Sequence, residues 1–139
     1  MSHHVHKVKA FMLSLEDRPG AGAQVTADLK NHGLSLRAFW GWAEEGGIAK
    51  VIFIPEDPDQ VASCGCDTCC AAEPMSVLWL EDVDKPGALD ENLQAIAVAA
   101  INLEAALALG TGGRYAGVLV FKQEEDLDKA LAALGECCA

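Results

Sequence analysis

Four thiols fall within one seven-residue window, Cys64-Gly65-Cys66-Asp67-Thr68-Cys69-Cys70. Cys66 and Cys69 have the C-x-x-C spacing that sets two sulfurs on one metal ion, and Cys64 or Cys70 would add a third. Thiolates are soft donors and favour zinc, an iron–sulfur cluster or copper(I). Cys137 and Cys138 complete a candidate set of six. Dense local cysteine without a secretion signal points to metal binding or thiol chemistry before structural disulfides. Thiol–disulfide chemistry is a second reading. Glycine gives access to the sulfurs, but no basic residue nearby in sequence would lower a thiol pKa, and Asp67 would raise one. A free-thiol loop without a role is the third.

A second chemistry sits on glycine. Glu16-Asp17-Arg18-Pro19-Gly20-Ala21 recurs as Val83-Asp84-Lys85-Pro86-Gly87-Ala88, so that Pro86 answers to Pro19. Lacking a side chain, Gly20 and Gly87 let a ligand approach backbone N–H groups at a helix start, where a carboxylate is favoured. The amide of Asn102 could both donate to and accept from the backbone of an amino acid. Against this stands the plain reading of both Pro-Gly pairs as tight turns.

The repeat extends beyond the turns, as internal self-similarity should. At the same offset Leu34-Ser35-Leu36 meets Ile101-Asn102-Leu103, Gly46 meets Gly113, and Ala49, Val51 and Ile52 meet Ala116, Val118 and Leu119. Asp57 pairs with Asp126 after a two-residue slip, which sets Cys69 opposite Cys138. Each half reads as a strand, the Asp-x-Pro-Gly turn, a helix closed near Gly33 or its counterpart, and two strands around a glycine loop. A clear amphipathic helix on Leu127, Ala130, Leu131 and Leu134 ends the second half. The matching segment of the first half runs into Gly65, which weakens a helix, so a short turn opening into the cysteine loop is expected. Residues 73–81 should form one long strand that closes the first half and opens the second. No strand follows the last helix, so the second half is expected to leave a sheet edge uncovered, an invitation to pairing with another subunit.

That order predicts an α+β protein of two ferredoxin-like βαββαβ repeats, an antiparallel sheet with helices on one face. The divisions are residues 1–72, carrying the cysteine loop 64–70, and residues 73–139. Asp84-Lys85-Pro86-Gly87-Ala88-Leu89 followed by Ile101-Asn102-Leu103 resembles the ACT domain. Asp17-Arg18-Pro19-Gly20-Ala21-Gly22 with Leu34-Ser35-Leu36 resembles it less closely. The resemblance to a tandem ACT protein implies side-by-side pairing of domains and a small ligand, usually an amino acid, at the paired interface. It implies ligand contacts from Asp17, Gly20 and Ala21, from Asp84, Gly87, Ala88 and Leu89, and from Asn102. Ser35 in place of Asn and Gly22 in place of a large aliphatic residue set the first repeat apart.

The 139 residues carry a formal net charge of −11, with a hydrophobic fraction of 51%. Such acidity argues against nucleic acid and anionic membrane as partners. No apolar run reaches the roughly 18 residues of a membrane span, and the first residues lack a secretory pattern, so a cytoplasmic location is expected. His3, His4 and His6 read as a terminal segment or tag remnant. Phe39, Trp40 and Trp42 read as core or interface; Arg37 and Lys50, on neighbouring strands, could face a carboxylate ligand but read first as a solvated sheet face. No Ser–His–Asp order, phosphate loop or helical His–Glu pair supports catalysis. The expected function is a stand-alone, non-enzymatic amino-acid-binding regulator, a homodimer with its ligand between paired repeats. The alternative is a metal- or redox-responsive protein in which the scaffold presents the Cys64–Cys70 cluster.

Overall fold

A computed structural model describes the backbone of residues 4–138 and the side chains of residues 5–135. The elements run β1 (His4–Glu16), α1 (Ala21–Asn31), β2 (Leu36–Glu44), β3 (Ile48–Pro55), α2 (Asp59–Cys64) and α3 (Asp67–Ala71), then β4 (Glu73–Val83), α4 (Ala88–Val98), β5 (Ala105–Thr111), β6 (Arg114–Val120) and α5 (Glu124–Cys138). The protein is α+β, with antiparallel sheet and helices in a ferredoxin-type arrangement.

Two compact units result. One is Lys9–Met75, and the other joins the described residues up to Val8 with those from Ser76 onward. In the first unit the strand order is β2-β3-β1-β4, and in the second β5-β6-β4-β1. As expected, β4 serves both halves, since the boundary at Met75 and Ser76 falls inside it. The expected open edge beside β4 in the second half is corrected: the beginning of β1 lies there. Val5 packs on that unit's core, and Lys7 pairs with Glu124 and, at 3.5 Å, with Asp128. These ion pairs raise the Lys7 pKa and lower that of Glu124. Reading order along the chain hid the closing strand, because it precedes everything it closes.

Each unit has its own core. Phe11 and Leu13, two residues apart on one face of β1, meet Phe53 of β3, Val25 and Leu29 of α1, and Val61 of α2. In the other unit Leu78 and Leu80 of β4 meet Leu119 of β6, Ile96 of α4, and Leu127, Ala130 and Leu134 of α5. Helix spacing of four positions the buried residues Ala21, Val25 and Leu29 on α1, and Ala88, Asn92 and Ile96 on α4, the two sets occupying the same places in the repeat.

Strand register corrects the sequence alignment. Phe11 faces Phe53 while Leu78 faces Leu119, so the offset between β3 and β6 is shorter by one position than that between the preceding elements. The cause is the hairpin: residues 45–47 join β2 to β3, whereas 112–113 join β5 to β6. Val51 therefore corresponds to Gly117, and Phe53 to Leu119. The same offset persists into the last helices, where the Gln60 N–H donates to the Asp57 carbonyl and the Asp126 N–H to that of Gln123. Cys69 is consequently not the counterpart of Cys138. The side chains of Cys137 and Cys138 lie outside the described residues.

The ends of α1 and α4 show what the repeat kept and lost. The Leu34 N–H donates to the Leu29 carbonyl across Gly33 (φ 76°), as Ile101 does to Ile96 across Ala100 (φ 59°). This left-handed closing position suits glycine and costs an L-residue about 1–2 kcal/mol. Ala100→Gly should therefore stabilise the protein by about 1 kcal/mol, after the greater flexibility of glycine in the unfolded chain is deducted. Urea melts check this through a rise in midpoint at unchanged slope.

Candidate ligand site

Both Asp-x-Pro-Gly turns adopt one geometry. Gly20 (φ 88°) and Gly87 (φ 85°) are left-handed and start α1 and α4, and neither helix start has a side-chain cap. The Asp17 N–H donates to Gly47 and the Asp84 N–H to Gly113, each at 2.9 Å, tying the turn to the hairpin of its own unit. The Ala21 N–H reaches the Arg18 carbonyl and the Ala88 N–H the Lys85 carbonyl in the same manner. The chain thus builds the same small structure twice, and an α-helix leaves its remaining first-turn amides without intrahelical partners.

A pocket lies beside each turn. In the first unit about 280 Å³ is bounded by Asp17, Arg18, Ala21, Gly41, Trp42 and Lys50. In the second, about 360 Å³ is bounded by Asp84, Gly87, Ala88, Leu89, Leu109 and Tyr115. Gly41 and Trp42 are the repeat counterparts of Ala108 and Leu109, which also line the second pocket. The walls are therefore the same parts of the repeat: turn, helix start and outer strand. An additional carbon on Gly110 would come within 3.0 Å of Asp84 Oδ2, so glycine there leaves room for the carboxylate.

Of the sequence-derived ligand residues, Asp17 and Ala21 line the first pocket, and Asp84, Gly87, Ala88 and Leu89 line the second. Gly20 starts α1 next to its pocket. Asn102 does not line the second pocket; it is exposed, in the segment between the C-terminal end of α4 and β5. The length of α4, about 1.5 Å per residue over 11 residues, separates it from Gly87. Trp42 is not singled out for ligand binding by the sequence, whereas Lys50 could face a carboxylate ligand there but reads first as solvated sheet face. Lys50 donates to Ser14 Oγ at 2.7 Å, across the β1–β3 pair where the two residues are register partners. Cross-strand register, not chain proximity, brings the lysine to the first pocket.

Behind the second pocket lies a polar pair with no equivalent in the first unit. Asn92 is buried, its Nδ2 donating to Tyr115 Oη and to the Ala88 carbonyl at 3.3 Å. Burial pushes the Tyr115 pKa up. The corresponding positions in the first unit are Val25 and Ala49.

The cysteine loop belongs to the first unit. Gly65 (φ 68°) breaks the chain between α2 and α3 and turns it back. The sulfurs of Cys64, Cys66 and Cys69 lie within 4.8 Å of one another, Cys64 and Cys69 being joined as a disulfide. Cys66 is buried and Cys70 exposed, both as free thiols. The expected grouping of Cys64, Cys66 and Cys69 is thus found, while Cys70 stands apart from it. Two residues missed in the sequence also arrive here: Asp28 of α1 and His32, just past the end of that helix, form, with Cys66, a second set of atoms within 4.8 Å. A cavity of about 580 Å³ adjoins this corner, lined among others by Arg18, Gln24, Asp28 and Thr68.

No protein-family model matches this chain, and no curated protein matches its sequence. Solved structures do. Protein BT0572 from Bacteroides thetaiotaomicron is similar at a TM-score of 0.77 and 20% identity, over 95% of this chain and 89% of that one. The regulatory subunit of aspartate kinase from Thermus thermophilus, in its ligand-free form, is similar at 0.65 and 14%, over 99% and 97%. The fold is ACT-like. The regulatory subunit of aspartate kinase from Thermus flavus gives 0.59 and 16%, over 100% and 98%. No helix among the described residues is long and apolar enough to cross a membrane.

Proposed function

We propose that this protein is a regulatory protein that binds an amino acid, using two ACT-like repeats and pairing as a homodimer in the cytoplasm. The observation that carries the reading is the duplicated pocket, with its uncapped helix start behind a left-handed glycine. An amino acid offers a carboxylate for the N–H groups of a helix N-terminus and an ammonium for Asp17 or Asp84. The exposed apolar side chains of Phe39 and Trp42 on β2 and Leu109 on β5 favour a second copy at these outer strands. Regulatory subunits among the similar structures support binding rather than turnover.

The test is a thermal melt against each amino acid at millimolar concentration. A ligand present at 100 times its Kd should add about 2.7 kcal/mol of stability. Asp84→Asn should weaken the effective amino acid about tenfold, as expected when a charge-assisted hydrogen bond worth about 1.5 kcal/mol is lost. Absence of any shift with all amino acids would remove the reading.

A further inference from the structure

The second unit covers its sheet with one unbroken 15-residue helix, α5. At the same place the first unit has two short helices, and the break at Gly65 is where three thiols converge. The counterparts of Cys64, Cys66 and Cys69 on α5 are Ala130, Ala132 and Gly135. The fold therefore needs neither the break nor the sulfurs. Along a continuous helix, Cys64 and Cys69 would diverge by about 140° around the axis, at 3.6 residues per turn. The left-handed glycine brings their Cα atoms to 6.8 Å instead.

The surroundings are those of a metal site's ligands. The Cys69 N–H donates to Cys66 Sγ at 3.3 Å and the Cys66 N–H to Cys64 Sγ at 3.5 Å, so backbone donors point at two of the sulfurs, although burial pushes the Cys66 thiol pKa up. Cys66 and Cys69 are buried, with 5% and 8% exposure, which keeps water out. Asp28 of α1 and His32, just past its end, converge on Cys66, and Asp28 Oδ2 accepts from the Thr68 N–H at 3.1 Å. That bond ties α1 to α3, and the Thr68 side chain together with its backbone N–H holds the Asp28 pKa below its ordinary value. Three thiols and one imidazole are a donor set suited to tetrahedral zinc.

We propose that Cys64, Cys66, Cys69 and His32 form a zinc-binding site when the thiols are reduced, with Asp28 positioning the His32 imidazole beside them. Zinc and the Cys64–Cys69 disulfide exclude one another, because they use the same two sulfurs. Opening the disulfide takes two electrons and two protons from a dithiol reductant, which closes to its own cyclic disulfide. Zinc then displaces the thiol protons to buffer. Cys70 takes no part.

The test uses the full chain, reduced with a dithiol and desalted anaerobically, then titrated with cobalt(II) and back-titrated with zinc. Expected are one equivalent of cobalt with intense tetrahedral thiolate–cobalt absorption, displacement by one equivalent of zinc, and no uptake by the oxidised chain. Cys66→Ser should weaken uptake by more than about 100-fold and His32→Ala by about 10–100-fold, the latter with a shifted absorption band. Cys70→Ser should match the parent. His32 is exposed, so its variant keeps the fold even if Cys66→Ser does not. Less than one-tenth equivalent bound, uptake unchanged by His32→Ala, or uptake lost with Cys70→Ser would each overturn the site as assigned. Binding that survives Cys66→Ser would place the metal on other groups, the N-terminal histidines among them, and would overturn it too.

Discussion

Phe53→Ala is expected to destabilise the protein by about 3–5 kcal/mol, the range for a large ring deleted from a packed core. Phe53 is fully buried, and its ring stacks on that of Phe11 with centroids 5.6 Å apart. The cluster around it includes Val25 and Leu29 of α1, Val61 of α2, and Cys66 and Cys69. A void beneath these helices would loosen the cysteine loop as well as the sheet. Urea denaturation should show the lower midpoint, and alkylation of Cys66 under native conditions should quicken. Phe53→Leu, which keeps most of the volume, should lose much less. An alanine variant within about 1 kcal/mol of the parent would mean that the ring does not hold this core together.

Asn92→Val should cost about 1–3 kcal/mol, because it leaves the buried Tyr115 hydroxyl without its donor. Tyr115→Phe alone should cost a comparable amount by leaving the Asn92 amide short of a partner. Removing both together should be less harmful than the two single losses combined, since no orphaned polar group then remains. The first unit is the natural precedent: Val25 and Ala49 occupy the corresponding positions and Val25 is buried. A double-mutant cycle by denaturation measures the coupling. Tyr115 and Ala88 both line the second pocket, so, under the proposed function, the same variants should alter a response to an amino acid there and leave that of the first pocket in place.

The sequence made the two-fold repeat legible because its markers are local. Pro-Gly at 19–20 and 86–87 starts a helix in both halves, and Gly33 ends one, since glycine tolerates the backbone these points require. Amphipathic spacing marked α5 for the same reason: burial at every third or fourth residue is a property of one helix. Strand register was not legible in this way. One residue fewer in the second hairpin shifts β6 against β3, and a single-residue shift exchanges the two faces of a strand. Val51, Ile52, Phe53 and Ile54 are all buried, so no alternation of polar and apolar residues was available to reveal it.

On its own the sequence determined the ACT-like element order, the glycine turns and the clustering of thiols at 64–70, because neighbouring residues suffice to encode them. Only the tertiary structure decided that β1 begins in one unit and continues in the other, that Lys50 reaches the first pocket, and that His32 and Asp28 join Cys66. Those meetings depend on strand pairing and helix packing between residues far apart in the chain, and no local periodicity records which distant side chains will share a site.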